Sequence, residues 1–153
     1  MCVFGDGAAG GWTPNREESG VKLYSMSKPG TPLVYTKGMT VIRCALRKFI
    51  DMTADVPLRK KWDPATIDAF VIDDVDPKTK VQYLLYKSPS MLVSNRDFVI
   101  LRRETALENG AWALITFSTT SEKMPEKPDV VRADLLTSGF VAYPIDDNSI
   151  EVH

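Results

Sequence analysis

The chain has 153 residues, of which 44% are hydrophobic, enough for one domain with a sizeable core and too few for two ordinary ones. Its 19 basic and 20 acidic side chains nearly cancel, so no global field or single-sign tail draws it to nucleic acid, and DNA or RNA binding is not expected. With one histidine, the terminal His153, catalytic triads and histidine metal sites are nearly excluded.

The first 19 residues, Gly-rich and without periodicity, are expected to form a flexible leader, with the domain running from residue 20 to 153. "GDGAAG" at 5–10 fits G-x-G-x-x-G, but no strand precedes it and no helix follows, so it is read as the composition of that leader. The N-terminus has no signal-peptide pattern and no apolar run is long enough to cross a bilayer. Two cysteines, Cys2 and Cys44, suit reduced thiols better than a disulfide framework, and a cytoplasmic location is expected.

"VKLYSM" and "LVYTKGMTV", separated by the turn cluster "SKPGTP", predict a hairpin. From Ile42 the spacing turns helical: Ile42, Ala45, Leu46, Phe49, Ile50 and Thr53 share a face, with Thr40 in position to cap. "DVPLRKKWD" permits a short second helix, on which Arg59, Lys60 and Lys61 read as a solvated face or, less simply, a contact for acidic headgroups. Strands follow at 66–73, 80–87, 97–104, 111–119, 130–136, 139–143 and 149–152, joined by short turns that favour antiparallel neighbours. The fold class is therefore α+β, a curved antiparallel sheet around an amphipathic helix, and strands apolar on both faces imply cover on both sides or an apolar cavity on one.

The strand "DFVILRRE" puts Phe98, Ile100 and Arg102 on one face and Val99, Leu101 and Arg103 on the other, so one arginine points inward. Alternation alone leaves open which one, since a one-residue slip of register exchanges Arg102 and Arg103. In "SPSMLVSN", Met91, Leu92 and Val93 occupy a loop where apolar side chains are scarce. They gate a ligand entrance or touch a membrane, or else fold back on the core. Arg96 and Asp97 read as an ion pair at a strand edge, and Trp62 as a core plug followed by a local partner, Asp63. Asp clusters at 72–76 and 145–147 sit where turns need them. No nucleophile and base can be named, and no enzyme is expected.

"RKKWD" at 59–63, "VQYLLYKSP" at 81–89, "VSNRDFVILR" at 93–102 and "VVRADLLTSGFVAYP" at 130–144 together resemble the START family of lipid-transfer domains over roughly residues 12–152. The resemblance implies a helix-grip fold that holds one lipid or similar apolar molecule, without a cofactor. It matches Arg102 to the family's tunnel arginine, so that Phe98 and Ile100, on the same strand face, are expected in the tunnel wall, and the apolar loop tip Met91 and Leu92 at its entrance. The family's sterol-binding members pair that arginine with an acid, where an ungapped alignment puts Tyr83, so a phospholipid or fatty acid is favoured over a sterol. Compared with the family, the chain lacks an N-terminal helix and is short at its C-terminus, without the closing helix. An uncovered apolar face that self-associates, and transient contact with membranes, are therefore expected.

Overall fold

The computed structural model describes residues 11–90 and 92–153. Cys2, the "GDGAAG" run and Met91 lie outside the described residues. Three strands open the fold: β1 (Thr13–Glu18), β2 (Val21–Ser27) and β3 (Val34–Ile42). Helices α1 (Leu46–Ala54) and α2 (Arg59–Trp62) follow, then β4 (Thr66–Asp76), β5 (Thr79–Tyr86), β6 (Arg96–Ala106), β7 (Trp112–Ser118), β8 (Val131–Arg132), β9 (Ser138–Asp146) and β10 (Ser149–Val152). The spatial order is β1-β2-β3-β10-β9-β7-β6-β5-β4, and β8 pairs with β6. All pairs are antiparallel except β6 with β8, as the short turns require.

Three expectations change. The leader expected over residues 1–19 does not extend over 13–18, because Thr13–Glu18 pairs with β2 through a two-residue turn in which Ser19 and Gly20 have φ of 53° and 78°. Both central residues at positive φ make the turn that matches strand twist. Every residue of this edge strand is exposed, so no alternation marks it in the sequence. The helix begins at Leu46 rather than Ile42, because Ile42 pairs with Ile150 of β10 and ladder bonds outweigh helical periodicity. Thr40 does not cap; its hydroxyl donates to the Gly20 carbonyl. The strand expected at 130–136 shrinks to Val131–Arg132, the remainder being irregular.

Helix α1 lies on one face of the sheet. Phe49 meets Trp112 and Phe140 edge-to-face, with centroids 6.1 and 5.9 Å away, and this cluster includes Leu114, Ala142, Ile150 and Val152. A second cluster, Val56, Ala69, Leu84 and Ile100, extends the same layer towards β4 and includes Leu135. Helix α1 thus covers part of the inner face, and Tyr86, Phe98, Leu135 and Phe140 remain half-buried there.

Candidate functional site

Cross-strand register fixes which side chains meet. Phe98, Ile100 and Arg102 stand opposite Leu84, Gln82 and Lys80 of β5, and Ile100 and Arg102 also face Ser118 and Thr116 of β7. Leu114, two residues along from Thr116, packs with Phe49 of α1, so this is the inner face. Arg102 is 2% exposed, whereas the Arg103 side chain is 61% exposed and reaches Thr79 and Asp76 on the outer face. The register read from the sequence holds, and the slipped alternative does not.

A cavity of about 130 Å³ lies on the inner face, walled by Leu84, Phe98, Ile100, Leu114, Leu135 and Phe140. Arg59, Tyr86, Thr116 and Ser138 add polar groups, and Gly139 completes the lining. Gly139 is required there, because a Cβ would fall 1.9 Å from the Leu114 carbonyl oxygen. Of the expected site residues, Phe98 and Ile100 line the cavity; Arg102 is not part of the lining but pairs across the ladder with Thr116, which is. Leu92 is 96% exposed in the β5–β6 loop and outside the lining, which sets aside the option that it folds back on the core. A larger depression of about 600 Å³ beside Arg43, Cys44 and Lys48 is open to solvent, so it does not enclose a ligand.

Tyr83 is a correction. It pairs with Val99, so it belongs to the outer face and cannot partner Arg102. Gln82, one position earlier, shares the inner face. The charge partner of Arg102 is Glu104, two residues along the same strand, whose Oε1 lies 2.7 Å from Nη1. Charge is thereby compensated, but neither Nη1 nor Nη2 is oriented to donate a hydrogen bond to a protein acceptor. The Gln82 amide nitrogen, diagonal to Arg102 across the ladder, is a third buried donor in the same condition. Such donors cost roughly 1–3 kcal/mol each when unmet.

A second polar group borders the opposite end of the cavity. Arg59 Nη2 donates to the Tyr86 hydroxyl at 2.6 Å, and Tyr86 donates to Asp63 Oδ2 at 3.0 Å. Arg59 Nε reaches the same carboxylate oxygen at 3.2 Å and its guanidinium lies over the Trp62 ring, 4.9 Å from the centroid. Burial pushes the Tyr86 hydroxyl above its ordinary pKa. In the sequence Arg59 passes for part of a solvated basic run; the signal that sets it apart is its i,i+4 spacing to Asp63.

The outer face is built differently. Asp97, 1% exposed, accepts two hydrogen bonds from Arg132 at 2.7 and 3.0 Å, so its partner is Arg132 and not the neighbouring Arg96. Arg132 also donates to the Met124 and Pro125 carbonyls, tying down residues 119–130. The Arg132 guanidinium holds the Asp97 carboxyl below the usual carboxylate range. Tyr83 stacks on Phe70 and accepts a hydrogen bond from Lys127 at 3.1 Å, while burial raises its pKa. This cluster fastens a loop, and it lines neither the inner cavity nor the open depression. No helix is long and apolar enough to cross a membrane, and no group of metal-binding side chains occurs, among the described residues.

Comparison with known proteins gives the geometry a family. The chain is 33% identical to mouse START domain-containing protein 10 over 92 residues, 60% of this chain and 31% of that protein. It is 23% identical to mouse acetyl-coenzyme A thioesterase over 146 residues, 93% of this chain and 25% of that one, so it spans a third or less of these curated relatives. Human StAR-related lipid transfer protein 5 superposes with a TM-score of 0.85 at 24% identity, over 94% of this chain and 70% of that structure, which matches the helix-grip fold. The family model for the START domain covers residues 6–153, and the chain belongs to that family.

Proposed function

We propose that this domain binds one lipid and carries it between membranes without chemical change. Family membership supports lipid binding in general. The observation that carries the finer reading is the set of three buried donors, Arg102 Nη1, Arg102 Nη2 and Gln82 Nε2, on the face that holds the apolar cavity. An apolar chain against Phe98, Ile100 and Leu114 gains roughly 0.8 kcal/mol per CH₂ enclosed. A polar end that supplies several acceptors removes the cost of the unmet donors. Because Glu104 already balances Arg102, what the site lacks is acceptors, not negative charge. A phosphate or carboxylate offers several and a sterol hydroxyl offers one, so a phospholipid or fatty acid is the favoured ligand.

Native mass spectrometry of the purified protein is expected to retain a lipid of that class. Arg102→Leu and Gln82→Leu should each lower transfer of phosphatidylcholine between vesicles, and Arg103→Leu should not. Equal transfer by wild type and Arg102→Leu would remove the arginine from the site. Incubation with acetyl-coenzyme A should release no free thiol; steady turnover would instead favour the activity named for the thioesterase relative.

A further inference from the structure

The cavity is smaller than its proposed cargo. At about 130 Å³ it is close to the about 150 Å³ that accommodates one benzene-sized molecule and below the roughly 300 Å³ at which ordinary ligand pockets begin. Uptake of a chain lipid therefore needs a wall that moves. Most of the wall belongs to β5, β6, β7 and β9, each hydrogen-bonded to a strand on both sides. Arg59 is held by Asp63 and Tyr86 together.

Leu135 is placed otherwise. It lies in a four-residue span, 134–137, between two fixed points. On one side Ala133 N–H donates to the Asp97 carbonyl beside the Arg132–Asp97 pair. On the other, Ser138 begins β9 and its carbonyl accepts from Thr116. Asp134, Leu136 and Thr137 do not line the cavity, and Leu135 alone of the span points down into it. The Leu135 backbone is attached to the sheet through one residue, Ser118: its N–H donates to Ser118 Oγ at 2.8 Å and its carbonyl accepts the Ser118 N–H at 2.8 Å.

We propose that residues 134–137 form a flap over the cavity, with Leu135 as its plug and Ser118 as its latch, and that lipid passes beneath it. The inference rests on the lipid-binding reading above. The anchors at Ala133 and Ser138 stay in place while the span swings out, and Leu136, already 59% exposed, needs no desolvation to do so. Three of the four residues of this span are exposed, and Leu135 is tied to the sheet backbone by only two hydrogen bonds, which places the span towards the low-stability end of the molecule.

The test follows release of pyrene-labelled phosphatidylcholine from the loaded protein to unlabelled vesicles. Ser118→Ala removes the Oγ acceptor and should speed release about fivefold, the factor equivalent to about 1 kcal/mol for one hydrogen bond. Leu135→Ala should also speed it, while Leu136→Ala, a neighbour without a place in the cavity, should leave the rate unchanged. In wild type the Leu135 amide should exchange with deuterium faster than those of Val99 and Leu114. If wild type binds the labelled lipid but neither Ser118→Ala nor Leu135→Ala alters release, the flap is overturned and the lipid site stands. If wild type takes up no lipid, the functional reading fails first and the flap with it.

Discussion

The two faces of the sheet each bury an arginine system, and they treat it in opposite ways. On the outer face Arg132 satisfies both oxygens of Asp97 and reaches two carbonyls of the overlying loop, and neither residue borders a cavity described above. On the inner face Arg102 has its charge balanced by Glu104 but its terminal donors unmet, and it stands across the ladder from Thr116, which lines the cavity. Buried ion pairs alone therefore do not mark a site. A fully satisfied pair fixes structure, whereas a charge-balanced pair with spare donors beside empty apolar space is suited to a ligand.

This contrast breaks down if the two systems respond alike to substitution. Asp97→Ala should be the most damaging change, costing about 3–5 kcal/mol in urea unfolding, because it strands a guanidinium that has lost its partner. The same pair sets the acid response. The folded pKa of Asp97 is depressed, so its stabilisation is complete above the unfolded value of about 3.9 and is lost as pH falls through the lower folded value. Asp97→Asn should flatten that acid limb relative to wild type; an unchanged slope would show that other carboxylates govern it.

Gly139→Ala should cost about 1–3 kcal/mol by forcing β9 away from β7, since its methyl would collide with the Leu114 carbonyl. Thermal unfolding measures the loss, and an unaltered melting temperature would mean that the cavity wall is softer than its geometry implies. Arg102→Leu together with Glu104→Gln should change stability by less than about 1 kcal/mol, because the spare donors leave with both charges and neither partner is stranded, while phosphatidylcholine transfer falls. A loss as large as that of Asp97→Ala would place Arg102 among the structural pairs and erase the distinction between faces.

Leu92→Asp should have the smallest effect on folding, within about 0.5 kcal/mol, because the side chain is 96% exposed. Its effect should be on association with lipid vesicles, measured by sedimentation. Unchanged sedimentation would take the loop tip out of membrane contact.

Several of these features are legible in the residues themselves. Period-two alternation in "DFVILRRE" groups Arg102 with Phe98 and Ile100 and sets Arg103 on the other face, and the resemblance to the START family picks the first face as the inward one. Helical spacing marks α1, and motif spacing marks the family. Tyr83 is misplaced by an ungapped alignment, which ignores the side of the ladder a residue occupies; register puts Gln82 there instead. The strand Thr13–Glu18 leaves no trace in the sequence because an exposed edge strand needs no apolar pattern.

The sequence by itself determined the order of elements from β2 onward, the grouping of Arg102 with Phe98 and Ile100 on one face of β6 and the presence of a single histidine, since these depend on local periodicity and composition. Tertiary structure alone decided the partners: Glu104 for Arg102, Arg132 for Asp97, Tyr86 for Arg59 and Asp63, and Ser118 for Leu135. Most of these join residues 17 to 35 positions apart, or depend on how two side chains on one strand are turned. No short-range pattern encodes such pairings, because they follow from how the strands are laid side by side in the folded sheet.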